Sequence, residues 1–396
     1  MEAHLLEWMN LIVRWVHVIV GIAWIGASFY FVWLENNLDR TVKNPELAGE
    51  LWAIHGGGIY HLQKYNLAPA TMPKHLHWFK WEAYSTWLTG VLLLALVYYI
   101  NANSYLVAPG SSLSATATIA LGVAVLVIGW LAYDLLCKSP LRHQPALLGI
   151  VLILFLTAAA WGLSQFMSGR AAYIHVGAII GTMMVGNVFF VIMPAQRSLV
   201  TAVEAGETPD PSKPKNALLR SRHNNYLTLP VVFIMISNHF PSTYGHEWNW
   251  LILLGVSLVS VGVRHYFNIR HKGQQFIWIL PVAMLAMFVM AYVTAPKPLP
   301  IVVDQQTNEM PINISDDQAL AIVTQHCAGC HAAQPKSPAF ASAPGGVMLE
   351  NVQQIRLHSE AVYQQSVATQ VMPLGNMTQM TTLERQQLGT WLLQEQ

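Results

Sequence analysis

The sequence predicts an all-α membrane protein in two parts. A polytopic eight-helix transmembrane bundle occupies residues 1–295, and a small helical domain at 315–396 follows a linker at 296–314. Three observations predict this. The chain is 54% hydrophobic and only 10% charged, against roughly a quarter charged in soluble domains. Apolar runs near the roughly twenty residues that cross a bilayer recur through the first part. They stop at Pro296-Lys297-Pro298-Leu299-Pro300, beyond which the composition turns polar. A net charge of +1 gives no reason to expect a nucleic-acid partner.

The spans are predicted at 10–34, 83–101, 114–137, 145–168, 171–193, 225–240, 248–268 and 275–295. The sixth is short and carries Pro230 and Asn238. The first begins near Leu11, is long, and lacks a small-residue cleavage site, so a removable signal peptide is not expected. No internal repeat is visible. Basic residues orient the bundle. Arg40, Lys43, Lys64, Lys74 and Lys80 follow span 1, Lys138 and Arg142 span 3, Arg197 to Arg222 span 5, and Arg270 and Lys272 span 7. The alternate loops 102–113 and 241–247 carry none, and 169–170 only Arg170. Both termini are therefore expected on the outer side.

The C-terminal domain holds Cys327-Ala328-Gly329-Cys330-His331. Two cysteines at C-x-x-C spacing with a histidine next in line form the attachment pattern of a c-type haem. Each thiol adds to a haem vinyl group and the imidazole of His331 becomes the proximal iron ligand. Ser315, Asp316 and Asp317 open a helix that delivers its last turn into the motif, as in a class I cytochrome c domain. A zinc site would want a second ligand pair at short spacing, and a thioredoxin motif would follow a strand; neither context is present. The sixth ligand is expected from the loop ahead of the last helix, predicted over 382–394. Met372, next to Pro373, is the first choice, with Met377 and Met380 in the same loop as rivals. Haem is attached to such motifs in the periplasm, which agrees with the basic-residue orientation in a bacterial inner membrane. Cys137 stands apart as a packing residue, and no disulfide is expected.

Sixteen histidines are many for so apolar a chain, and ionisable residues within spans are candidates for function. His17, His175 and His239 fall at the outer level. Each is either a hydrogen-bonded interhelical histidine or one of a pair ligating a b-type haem. His17 shares a helix face with Trp24 seven residues on, and Gly21, Ala27 and Ser28 keep that helix slim. At the inner level lie His265 and the loop residues His55, His61, His75, His77, His143, His223 and His271. The inner loop also contains Gly56-Gly57-Gly58, able to approach a ligand or another helix closely, and an aromatic run from His77 to Glu82. That run reads as an interfacial belt or as part of a substrate site.

Taken in order, five segments resemble the bacterial membrane-bound, cytochrome-c-linked urate oxidase (urate hydroxylase) family. They are Trp15-Val16-His17 with Trp24-Ile25-Gly26; the loop His55 to Glu82; Asn224 to Pro230 with Ser237-Asn238-His239; Cys327 to His331; and Met372 to Asn376. The resemblance implies oxidation of urate to 5-hydroxyisourate, with electrons leaving through the haem c toward a respiratory acceptor and no hydrogen peroxide formed. It brings no catalytic residues by motif. A planar anion wants cations, donors and an aromatic face, and addition of water at C5 wants a base. The candidates are His77 and Glu82 for base and orienting groups, with Lys64 or Arg264 pairing the anion. For a site on the outer side His175 and His239 take those roles. The competing readings are a membrane dehydrogenase for another small metabolite, and a quinol-linked electron carrier with a tethered cytochrome c. A transporter would want paired interrupted helices, which the spans lack.

Overall fold

A computed structural model describes residues 2–270, 276–295 and 314–394. His271, Lys272 and the predicted linker up to residue 313 lie outside them. The chain runs α1 (Glu2–Asn37), β1 (Leu47–His55), β2 (Gly58–Tyr65) and α2 (Trp81–Leu94), which continues as a π-helical turn to Tyr99. Then come α3 (Ala102–Tyr105), α4 (Ala115–Lys138), α5 (Pro145–Ser164) and α6 (Gly169–Gly186). A second π-helical turn, Asn187–Ile192, joins α6 to α7 (Met193–Glu204). There follow α8 (Ser212–Ser237), α9 (Pro241–Tyr244), α10 (Asn249–Ile269) and α11 (Ile279–Val293). Among the described residues five helices, with α6 and α7 counted as one, are long and apolar enough to cross a membrane, and α11 is a shorter apolar helix. The expected sixth span, 225–240, corresponds to the second half of α8, which ends at Ser237 and starts earlier, at Ser212, because its polar first half stays helical.

Helix α6 is the centre of the bundle: 61% of its apolar window is buried, against 6% for α1. Small residues let the backbones close on it. A methyl group at Gly129 would stand 2.7 Å from Ile179, and one at Gly186 2.5 Å from Trp130. The perimeter is apolar instead. Leu285 and Phe288 of α11, Trp15 and Ile22 of α1 and Leu135 of α4 are all more than 60% exposed. So wide an apolar surface is compatible with lipid contact.

One element departs from the all-α expectation. β1 and β2 pair antiparallel, with His55 opposite Gly58. Gly56 and Gly57 form the two-residue turn with φ of +58° and +80°. Positive φ at both central positions is the type I′ turn, whose twist matches the strands and which favours glycine. The glycines turn the chain; a methyl group at either would meet nothing within 4 Å. Periodicity alone reads this run as loop, although Gly-Gly between Ile54 and Ile59 is a hairpin signal.

The C-terminal domain is helical. It comprises α12 (Asp316–His326), α13 (Val352–Leu357), α14 (Ser359–Val362) with a π-helical turn to Ala368, and α15 (Thr382–Leu393). Capping boxes open α12 at Ser315/Gln318 and α15 at Thr381/Glu384, satisfying backbone donors that would otherwise be orphaned. The two helices share a core with Val323, Ile355, Leu388 and Trp391. Trp391 Nε1 donates to Asp316 Oδ1 at 2.8 Å.

Candidate functional site

The helical turn after α12 presents the C-x-x-C-H motif. Cys327 is buried and Cys330 half-buried; burial pushes the Cys327 thiol up to about 12, with Arg385 opposing. His331 Nδ1 donates to the Val347 carbonyl at 2.9 Å. That bond fixes the ring and leaves Nε2 as the free lone pair, the arrangement seen in metal-ligating histidines. The donor set therefore fits a covalently attached haem c.

The three candidate methionines differ. Met377 is 61% exposed, and its sulfur accepts from Ser104 Oγ at 3.0 Å. Met380 is buried in the same core as Cys327. Met372 is half-buried and its backbone is held at both ends: its N–H donates to Gln365 O at 2.9 Å and its carbonyl accepts from Arg385 Nη1 at 2.6 Å. Arg385 also bonds Ser366 O and Asn376 Oδ1, so one guanidinium shapes the loop.

That loop is also where the two parts of the chain meet. Gly375 approaches α3 so closely that a methyl group would stand 3.2 Å from the carbonyls of Asn103 and Ser104. Val371 packs against the bundle core, and Thr369 O lies beside Gly245. The same end of the bundle gathers Arg170, whose Nε donates to Asn238 Oδ1 at 3.0 Å and whose guanidinium lies over Tyr98 and Tyr105. Burial raises the Tyr105 phenol above its usual range, Arg170 opposes this, and the Cys330 thiol adds to it.

The outer histidines do not converge as one set. Thr89 Oγ1 donates to Ser85 O, so it accepts from His17 Nδ1 at 2.9 Å, which leaves Nε2 of His17 as a lone pair. His175 Nδ1 donates to Ala171 O at 2.8 Å, and its Nε2 accepts from Tyr99 at 3.2 Å. A methyl group at Gly122 of α4 would stand 2.7 Å from that Nε2. Tyr99 and the α4 backbone at Gly122 thus close on that nitrogen. His239 is exposed at the end of α8.

The candidates expected on the inner side lie around the C-terminal end of α1. Lys64 Nζ pairs with Glu35 at 2.5 Å, and Arg40 pairs with the same carboxylate. His77 is exposed and meets Phe79 edge-on, and Phe79 in turn packs on Phe31. Glu82, in the first turn of α2, has Oε2 buried with no hydrogen-bond partner. Arg264 is 7% exposed; its Nε donates to Asn225 Oδ1 at 3.0 Å, and its guanidinium carbon lies 3.8 Å from the centre of the Phe29 ring. Asn268 Nδ2 donates to the same Asn225 oxygen at 2.8 Å.

Sequence reasoning missed one buried network. Arg220 of α8 is fully buried and bonds Asp134 Oδ1 at 2.7 Å and Asn187 Oδ1 at 3.2 Å. Asn187 donates to the Tyr133 hydroxyl at 2.7 Å and to Asn224 Oδ1 at 2.8 Å, and Tyr133 bonds His223 Nδ1 at 2.9 Å. A cleft of about 500 Å³ opens beside it, lined by Trp130, Phe190, Lys138, Lys213 and Asn216. Asp134 within a predicted span was the available signal, since charges there need a partner. Among the described residues no group of three or more His, Cys, Asp or Glu is placed to hold a metal ion.

A family model described as urate oxidase N-terminal matches residues 3–295, the whole helical bundle and its hairpin. No curated protein and no solved structure matches the chain.

Proposed function

The chain belongs to the urate oxidase N-terminal family, and we propose that it is a membrane-bound enzyme converting urate to 5-hydroxyisourate. Oxidation of urate is the chemistry of that family, and the match over residues 3–295 is the observation that carries the reading. The C-terminal domain adds the means of disposing of electrons. Cys327 and Cys330 would attach a haem c, and His331 and Met372 would hold its iron. When bound, such a haem accepts electrons singly and passes them to a respiratory acceptor, so that no hydrogen peroxide is made.

The overall change is urate plus water to 5-hydroxyisourate, two protons and two electrons, so the electrons leave in two sequential transfers. The protein must hold a planar anion, exclude competing nucleophiles and help water add at C5. Glu82 is the best placed of the candidates to take the water proton, because its buried Oε2 has no other partner. His77 would orient substrate at the same end of the bundle, and Lys64 or Arg264 would meet the anion. Replacement of Glu82 by Gln with unchanged turnover would remove it from this role.

The bundle is proposed to lie in the bacterial inner membrane with both termini in the periplasm. The distribution of basic loop residues supports this, as does the seating of the C-terminal domain against the loops that carry none. The eight-span reading is kept, with α2, α8 and α11 as the spans of lesser length or apolarity. The test is product formation: purified full-length protein with urate and an artificial one-electron acceptor, assayed for 5-hydroxyisourate and for peroxide. Product without peroxide is expected. Absence of product with a fully haem-loaded preparation would remove the urate reading and leave another small metabolite as substrate.

A further inference from the structure

We propose that Arg264, Asn225 and Asn268 form the binding site for the urate anion, on the inner half of the bundle between α1, α8 and α10. This assignment rests on the urate reading above.

The reason is an imbalance of charge and hydrogen bonding. Among the described residues no carboxylate pairs with Arg264, though it is 7% exposed. Its Nε is used by Asn225, and its two terminal amino groups take no partner among the described residues. Asn225 Oδ1 accepts twice, from Arg264 and Asn268, which settles the orientation of that amide. Its Nδ2 is consequently left buried with no acceptor, and Asn268 Oδ1 is left buried with no donor. Each unpaired buried amide group costs about 1–3 kcal/mol, and the Arg264 amino groups, which are not among the buried unpaired atoms, keep access to solvent beside them. A bundle that keeps all three side by side gains by binding something.

The missing partner is defined by what is missing. It must carry negative charge for Arg264, an acceptor for Asn225 Nδ2 and a donor for Asn268 Oδ1. The urate anion has carbonyl oxygens beside ring N–H groups in one plane and meets all three demands. Arg220 makes a contrast in charge: it is fully buried and its Nε takes no partner, but Asp134 at 2.7 Å already neutralises it. Phe29 is a positioning residue, its ring lying against the guanidinium and fixing the plane in which the fork points. Asn36 Nδ2 donates to Asn268 O at 3.2 Å and ties α1 to the same end of α10.

Arg264 lies five residues before the end of α10 at Ile269, so substrate would enter from the inner side under the proposed orientation. The C-terminal domain sits at the opposite end. Trp24, Trp87, Tyr98 and Tyr105 stand along the stretch between them on α1, α2 and α3.

The test separates the site from the function. Full-length protein in detergent is kept reduced with dithionite under argon, which blocks turnover, and radiolabelled urate binding is measured by equilibrium dialysis. Arg264→Gln is expected to raise Kd at least about 30-fold, the loss typical of removing one partner of a buried charge pair. Arg264→Lys keeps the charge but not the planar fork, and a rise of about tenfold is expected. Asn268→Ala, a milder change, decides the matter if the arginine variants fail to fold; a rise of about fivefold is expected. Hypoxanthine, a planar purine neutral at pH 7, should bind Arg264→Gln and wild type within about threefold. Urate binding by Arg264→Gln as tight as wild type would overturn the site and leave the function standing. Phospholipid phosphorus that co-purifies with wild type but not with Arg264→Gln would overturn it in favour of a lipid headgroup. Wild-type protein that neither binds urate nor is reduced by it removes both readings.

Discussion

Arg220 and Asp134 meet at 2.7 Å across α8 and α4, the guanidinium fully buried and the carboxylate 15% exposed. Lys138 shares the same carboxylate at 2.5 Å. Removal of one member of a buried pair leaves the other charge stranded, at a cost of about 3–5 kcal/mol. Asp134→Asn is accordingly expected to lower the thermal-unfolding midpoint of the detergent-solubilised protein substantially. The double variant Asp134→Leu with Arg220→Met should recover most of that loss. An Asp134→Asn midpoint equal to wild type would show that this pair does not hold α4 against α8.

Gly375 seats the C-terminal domain on the bundle. Its φ of +61° is left-handed, which costs other residues about 1–2 kcal/mol. A methyl group would also stand 3.2 Å from the carbonyls of Asn103 and Ser104, so the contact would have to open by a few tenths of an ångström. Gly375→Ala is expected to loosen the loop carrying Met372 from α3, seen as faster proteolysis within residues 369–381 in the full chain. Unchanged protection would mean that the domain is held elsewhere.

Glu384 gives the C-terminal domain an acid-sensitive element. Partial burial raises its carboxyl, but donors from Thr381 and from His326 outweigh that and hold its pKa below the usual value. A carboxyl depressed in the folded state stabilises above its unfolded pKa of about 4.3 and loses that contribution as pH falls through the folded value. Near-ultraviolet circular dichroism of the full chain should show the domain loosening below about pH 4. Glu384→Gln keeps the cap geometry, lacks the titration, and should flatten that limb.

Met372 and Met377 are separable by spectroscopy. Met372→Ala is expected to leave haem covalently attached but to change its spin state and lower its potential, since methionine ligation raises it. Met377→Ala should leave both unchanged and weaken only the contact with Ser104. The reverse outcome would exchange their roles.

How much of this was legible in sequence depended on range. The long helices follow from apolar runs, and the C-x-x-C-H context from spacing along a few residues. The carbonyl that orients His331 comes from Val347, sixteen residues on, and no local pattern marks it. The hairpin was readable in principle from Gly56-Gly57, but alternation in β1 and β2 is blurred because Trp52, Ile54, Ile59 and Tyr60 are all exposed. The sequence offers Arg264 only as one of two cations for the substrate anion, whereas its burial and its partners Asn225 and Asn268 come from the packing of α8 on α10. His17 and His175 share a level in the bundle, yet Gly122 and Tyr99 close around His175. That closure is a property of helix packing, which spacing along one helix does not encode.

Urate oxidation through the haem is tested most directly by an anaerobic titration of haem-loaded full-length protein with urate, following the haem α-band and the product together. Each urate consumed should deliver two electrons, reducing two haem equivalents across the population, with one 5-hydroxyisourate appearing per urate. A haem that dithionite reduces but urate does not would contradict it.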